Sequence, residues 1–152
     1  PLPAQGGAPA ATAFDPMTFF TGRTQGTGRL RPILAPARAI DVTSEGRVDR
    51  DGTLILRQTV EEHGKDPRRR EWRIREVAPG RYAGTLTDAA GPVAGEEVGG
   101  RLKLSYKMKG GMRAVQWIEG APDGRSARNR MSVNRLGSHV ARLDETIRRI
   151  GP

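Results

Sequence analysis

The chain has 152 residues, with 26 Lys and Arg against 17 Asp and Glu, which gives a formal net charge of +9. This length predicts one domain with a single core. The absence of cysteine excludes disulfides, thiolate metal sites and cysteine nucleophiles. Hydrophobic residues make up 36% of the chain and aromatic residues 5%, which predicts a sheet with one wet face and a partly polar interior.

The first residues are rich in Ala, Pro and Gly, and residue 1 is Pro rather than Met. Such a tract is typical of a flexible leader that remains after a secretory signal is cleaved. We therefore expect a leader over residues 1–14 and one folded domain over residues 15–152. We also expect an exported protein that is periplasmic or associated with the cell envelope.

A short helical plug is predicted directly after the leader. Asp15 is a good N-cap, Pro16 suits the first helical position, and Met17, Phe19 and Phe20 supply an apolar side. We expect one helical turn that closes one end of the domain. Glycines over residues 21–27 then predict a sharp bend into the first strand.

From residue 24 onward, short alternating segments are separated by Gly, Pro and Asp turns at nearly regular intervals. This pattern predicts an all-β antiparallel meander that closes into a barrel or folds into a sandwich. The predicted strands are 28–34, 38–48, 54–63, 69–77, 82–88, 93–98, 101–109, 112–119, 126–134 and 138–144. A minimal barrel has eight strands, which is fewer than the ten predicted here. In an alternative interpretation, some of the ten segments are strand extensions or loops. Residues 143–150 also fit a short amphipathic helix.

Alternation assigns the faces of these strands, because successive strand side chains point to opposite sides. In 101–109, the apolar residues and Tyr106 share one side, and the Lys, Arg and Ser residues share the other. The predicted inward set is Leu54, Leu56, Val60, Trp72, Ile74, Tyr82, Leu86, Leu102, Leu104, Tyr106, Met108, Met131 and Val133, with Gln58, Asp88 and Asn129 as polar members.

Several spaced motifs resemble a known family. They include Phe19-Phe20-Thr21-Gly22, Arg70-Glu71-Trp72-Arg73-Ile74, Tyr82-Ala83-Gly84 and Asn129-Arg130-Met131. Together they resemble the bacterial domain-of-unknown-function family 3833, across nearly everything after the leader. The resemblance implies exported proteins without an assigned activity, and an up-and-down, lipocalin-like barrel.

The main hypothesis is a noncatalytic protein that binds an apolar or amphipathic, lipid-like small molecule inside the barrel. Arg70 would meet an anionic head group and Trp72 an apolar body. The predicted ligand-binding residues are Arg70, Trp72, Gln58, Tyr82, Asp88, Leu104, Tyr106 and Asn129. In the alternative, Trp72 is ordinary core and Arg70 pairs with Glu61.

Asn129 and Arg130 can also be explained by purely structural roles. A buried Asn129 would need hydrogen-bond partners, which Gln58, Asp88, the backbone, water or a ligand can supply. Arg130 is expected on the other face, where it would pack over Phe19 or Phe20 at the end of the barrel.

Catalytic and metal motifs are absent from the sequence. It has no Gly-x-Ser-x-Gly elbow and no phosphate-binding loop. His63 lies near acidic residues, but the second imidazole, His139, falls on a distant strand, so we predict an exposed strand end and no metal site. No cofactor is predicted, and Asp88 is the only candidate for a catalytic carboxylate.

A surface function is the competing hypothesis. Residues 101–135 contain nine Lys and Arg against two acidic residues. The predicted outer face of one strand carries Arg101, Lys103, Lys107 and Lys109, which would bind an anionic membrane or another polyanion. A nucleic acid is disfavoured because Tyr106 points away from these cations and offers no exposed ring for stacking.

Overall fold

The structure, a computed structural model, describes residues 13–151. Within this range the chain forms one short helix and ten strands. They are α1 (Pro16–Phe19), β1 (Gly22–Pro32), β2 (Arg38–Val48), β3 (Thr53–Glu62), β4 (Arg68–Ala78), β5 (Arg81–Leu86), β6 (Val93–Val98), β7 (Arg101–Met108), β8 (Met112–Gly120), β9 (Ser126–Arg135) and β10 (Ser138–Ile150). No helix in the described part is long and apolar enough to cross a membrane.

The strands form a closed antiparallel barrel in sequence order. Each strand pairs with the next, and β1 closes the barrel by pairing with β10, from Arg23 opposite Ile150 to Pro32 opposite Ala141. Closure leaves no strand with an unpaired edge. The prediction of an antiparallel up-and-down barrel is confirmed, and all ten predicted strands are real.

The first and last strands are longer than predicted. The expected bend over residues 21–27 is wrong, since β1 begins at Gly22 and pairs on both sides, with β2 and with β10. The helical alternative for residues 143–150 is also wrong, because these residues belong to β10. A spacing of four residues fits a strand as well as a helix, so Leu143 and Ile147 lie on one strand face with Glu145 between them.

The predicted helical plug is confirmed. The Asp15 carboxylate accepts a hydrogen bond from the backbone N–H of Met17 at 3.0 Å, as an N-cap should. Phe19 and Phe20 are buried with ring centroids 5.0 Å apart. Phe14, which the sequence prediction placed in the leader, packs on both rings, and its N–H donates to the Gly100 carbonyl at 2.9 Å. Residues 1–12 of the predicted leader lie outside the described residues.

The interior has apolar layers on both sides of a polar middle. Leu54, Ile74 and Leu102 pack toward α1, whereas Ile40 and Val60 pack toward the opposite end. We call that opposite end the far rim; it comprises the turns that follow β1, β3, β5, β7 and β9. Of the predicted apolar inward set, all are buried except Met108 and Met131, which are partly buried.

Candidate functional site

Polar side chains form the first half of a belt around the middle of the barrel, on β1 to β4. Thr24, Ser44, Gln58 and Arg70 stand directly opposite one another on successive strands. The hydroxyls of Thr24 and Ser44 share a hydrogen bond. Arg70 Nε donates to Gln58 Oε1 at 2.6 Å, and Trp72 Nε1 donates to the same oxygen at 2.9 Å. Gln58 therefore fixes both the guanidinium and the indole.

The second half of the belt runs over β7 to β10. The Tyr106 hydroxyl donates to Gln116 Oε1 at 3.1 Å, and Gln116 Nε2 donates to Asn129 Oδ1 at 3.4 Å. Asn129 Nδ2 then donates to Glu145 Oε1 at 2.9 Å. Burial raises the pKa of Tyr106 to about 12, which keeps its hydroxyl a neutral donor. The Tyr106 ring meets Trp72 edge-on at 5.6 Å and so joins the two halves.

Glu145 is a buried carboxylate that the barrel accommodates through a glycine. A Cβ atom on Gly26 would lie 2.1 Å from Glu145 Oε2, so only glycine leaves space for this carboxylate. Burial raises the pKa of Glu145, and the hydrogen bond from Asn129 and the charge of Arg70 offset this in part.

Arg70 is the cation of the same interior. Desolvation lowers its pKa from the usual value, but a guanidinium remains charged at physiological pH. No ion pair within 4.0 Å joins Arg70 to Glu145 or to any other acidic residue in the described chain. The barrel therefore holds a guanidinium and a carboxyl group that form no ion pair with each other.

A small cavity of about 50 Å³ lies between these groups. This volume has room for roughly three to five water molecules, and ligand pockets typically measure about 300–1,000 Å³. Its polar lining comprises Thr24, Gln58, Arg70, Gln116, Asn129 and Glu145. Its apolar lining includes Leu56, Trp72, Leu104 and Phe20 of the plug region. The expected container is thus filled by its own side chains apart from this space.

Five of the eight predicted ligand-binding residues line the cavity: Arg70, Trp72, Gln58, Leu104 and Asn129. Tyr106 lies behind the lining, where it supports Trp72 and Gln116. Tyr82 is buried in the apolar layer toward α1 and does not line the cavity.

Asp88 also lies elsewhere than predicted. The chain leaves β5 at Leu86, so Asp88 belongs to a far-rim turn and forms an ion pair with Arg68. The carboxylate that lines the cavity is Glu145 instead.

The sequence prediction missed Thr24, Gln116 and Glu145. Thr24 fell in the expected bend, and Glu145 fell in the segment that also fitted a helix. Gln116 lies between Ala114 and Ile118, both buried, and this alternation was the signal that could have revealed it.

The structural alternatives have mixed outcomes. Arg70 bonds Gln58 rather than the expected Glu61. Asn129 bonds Gln116 and Glu145, not Gln58 or Asp88. The expected packing of Arg130 on Phe19 or Phe20 is wrong, because Arg130 points outward and lies 3.7 Å from the carboxylate of Asp144 on the paired strand.

His63 is exposed after the end of β3, as predicted. Among the described residues, no group of three His, Asp or Glu side chains is placed to hold a metal ion.

The four residues of the predicted basic face lie at two different ends of the barrel. Arg101 and Lys103 lie toward α1, where their cationic groups are 4.3 Å and 5.5 Å from the ring centroid of Trp117. Lys107 and Lys109 lie at the far rim. This face does carry an outward aromatic ring, since the Trp117 side chain is on the outer face beside Arg130; Tyr106 was the only ring considered in the prediction.

The raised pKa of Glu145 predicts a pH-dependent effect of Glu145→Gln. Because the carboxyl binds its proton more tightly in the folded state, its contribution to stability is present below the ordinary carboxyl pKa and is lost as the pH rises through the raised pKa. Glu145→Gln keeps an acceptor for Asn129 and removes the charge. We expect it to raise the free energy of unfolding at neutral pH by on the order of 1 kcal/mol, and to have little effect at pH 4.

Urea denaturation at both pH values measures this difference, with the exposed Glu61→Gln as the matched control. A Glu145→Gln protein that is less stable than the wild type at neutral pH would contradict the prediction.

The chain matches one family model and is similar in fold to solved structures. A family model described as "Protein of unknown function (DUF3833)" matches residues 8–149. No curated protein matches the chain. The S-type phycobiliprotein lyase CPES from Guillardia theta is similar in structure, with a TM-score of 0.67, 8% identity, and coverage of 90% of this chain and 91% of that one.

A protein of unknown function from the DUF3598 family of Nostoc punctiforme has a TM-score of 0.67 and 14% identity, with coverage of 95% of this chain. This chain spans 53% of that structure. At these identities the two likenesses show a shared fold, which is the lipocalin-like barrel.

Proposed function

The chain belongs to the DUF3833 family of proteins of unknown function, and we propose that it is a noncatalytic binding protein for a small molecule with an anionic head and an apolar body. The observation that carries this proposal is the state of Arg70. Its Nε is fixed by Gln58, its two terminal nitrogens make no hydrogen bond to a described residue, and Arg70 is among the residues that line the cavity.

A carboxylate head group matches these free donors. Arg presents two parallel N–H groups that fit a carboxylate, and such charge-assisted hydrogen bonds are stronger than neutral ones. Glu145 lies across the same cavity with a raised pKa, and in its protonated form it would donate to the same head group. Leu56, Trp72 and Leu104 would contact the apolar body.

The size of the cavity limits what can bind without movement. A guest of more than a few heavy atoms needs space that side chains now occupy. Pro16 and Phe20 line the cavity from the α1 side, and α1 is only four residues long. We propose that α1 is the part that moves when a larger guest enters.

The test uses Trp72 as a reporter of the interior. In a Trp117→Phe background Trp72 is the only tryptophan, since the chain has two. We would titrate amphiphiles that share a hexyl or dodecyl chain and differ in head group: carboxylate, alcohol or ammonium. The carboxylates should change the Trp72 emission at the lowest concentrations.

Arg70→Gln should weaken carboxylate binding by about tenfold or more, the value of one charge-assisted hydrogen bond. Arg69→Gln is the matched control, because Arg69 is the neighbouring residue on the outer face. Equal affinity for all three head groups, or equal losses in the two variants, would remove the assignment of Arg70. Failure of every amphiphile to bind would remove the proposed function itself.

A further inference from the structure

The far rim exposes large aliphatic side chains. Ile33 is 58% exposed and Leu34 94% exposed in the turn between β1 and β2, and Leu136 is 97% exposed in the turn between β9 and β10. The N–H of Ile33 donates to the Val140 carbonyl at 2.9 Å. This bond holds the first turn against the start of β10, so the two turns are neighbours. We call Ile33, Leu34 and Leu136 the rim tips.

Leu136 occupies its place at a conformational cost. Its φ is 49°, in the left-handed region, and it is the only non-glycine residue with positive φ in the described chain. Glycine or asparagine adopts this conformation more readily than leucine. An aliphatic side chain is therefore presented to the outside at a turn where a smaller or polar residue would be less strained.

Unpaired cations surround the rim tips. Arg31 and Arg142 stand directly opposite each other on β1 and β10, and Lys107 stands opposite Arg113 on β7 and β8. All four are exposed, and none of them has an ion-pair partner within 4.0 Å in the described residues. Like charges directly opposite in a sheet are destabilising, and an external anion would relieve this repulsion.

We propose that the far rim docks on an anionic lipid membrane, with the rim tips inserted among the lipids and these cations on the head groups. Aliphatic side chains that project beside cations are the combination that binds such an interface. A single-stranded nucleic acid would instead need exposed aromatic rings for stacking, and the rim tips are aliphatic.

The docking surface is one side of the far rim. On the other side, the acidic residues Glu62 and Asp88 are paired with Arg38 and Arg68. The two opposed pairs of cations described above lie on β1, β10, β7 and β8. The barrel therefore docks tilted, with these strands toward the membrane.

The experiment is cosedimentation of the full chain with phosphatidylcholine vesicles that contain or lack phosphatidylglycerol. The wild type should sediment with the anionic vesicles only, and added salt should weaken binding. The variant Ile33→Ser, Leu34→Ser, Leu136→Asn should bind about tenfold more weakly. The variant Arg31→Gln, Arg142→Gln should lose about 25-fold, since each cation near an anionic surface contributes about fivefold.

Matched controls come from the α1 end. Val48 and Val77 are 44% and 60% exposed there, and Val48→Ser with Val77→Ser should bind as the wild type does. Arg23→Gln with Arg148→Gln is the corresponding charge control. Thermal unfolding followed by circular dichroism confirms that each variant is folded.

Three results would overturn the proposal. The first is that the wild type does not sediment with anionic vesicles. The second is that the rim-tip variant binds these vesicles as tightly as the wild type. The third is that heparin or single-stranded DNA binds as tightly as the vesicles do and that the rim-tip substitutions do not change this binding. The last result would identify a general polyanion surface instead.

Discussion

Gly46→Ala is expected to displace the α1 plug and lower the free energy of unfolding by about 1–3 kcal/mol, as overpacking does. A Cβ atom on Gly46 would lie 2.0 Å from the backbone oxygen of Phe20 and 3.1 Å from Leu56 Cδ1. No side-chain rotation removes a clash with a backbone oxygen. Since β2 is paired on both sides, the short segment that contains Phe20 has to move.

Two measurements follow the plug in this variant. Urea denaturation gives its stability, and acrylamide quenching of Trp72 in the Trp117→Phe background gives the access to the interior. We expect quenching to increase, and dodecanoate to bind faster if α1 is the part that moves.

Gly91→Ala is the control for Gly46→Ala, because a Cβ atom on Gly91 meets nothing within 4 Å and its φ is not positive. If the two variants had the same stability and the same quenching, the contact between α1 and β2 would not hold the plug in place. Increased quenching with an unchanged rate of dodecanoate binding would show that guests enter from the far rim.

Trp72→Ala should cost about 3–5 kcal/mol of stability, the range for removing a large aromatic side chain from a core. Trp72 is only 6% exposed. The substitution removes its edge contact with Tyr106 and its hydrogen bond to Gln58, so it affects both halves of the polar belt. Urea denaturation followed by circular dichroism measures the loss without relying on tryptophan emission.

Trp117→Ala provides the comparison for Trp72→Ala. Trp117 is only partly buried, on the outer face between Arg101 and Lys103, and we expect a loss of less than about 1.5 kcal/mol. Trp72→Phe should fall between the two, because it keeps a ring in the core but loses the donor to Gln58. Equal losses for Trp72→Ala and Trp117→Ala would mean that the polar belt does not depend on Trp72.

The turns and the alternation of inward and outward residues in β7 could be predicted from the sequence. Gly110 and Gly111 both have positive φ, and β7 ends at Met108, one residue before the predicted end. Leu102, Leu104 and Tyr106 point inward as their spacing indicated. Such features depend on neighbours in the chain, so local physical chemistry determines them.

The partners within the barrel could not be read in the same way. Arg70 and Gln58 were both predicted inward, but their direct bond depends on the register of β3 and β4. Glu145 was missed because a spacing of four residues fits both a helix and a strand. Pairing with β1, more than a hundred residues away in the chain, decided between them.

Turn residues and period-two alternation act over a few residues, so they were enough to predict the class of fold, the ten strands, the capped plug and the inward position of Trp72, Gln58 and Asn129. The three-dimensional fold was needed to establish closure of the barrel between β1 and β10. It also determined the separation of Arg70 from Glu145 and the filling of the interior to a cavity of about 50 Å³. These features depend on strand register and on side-chain volumes summed around the barrel, which no local segment contains.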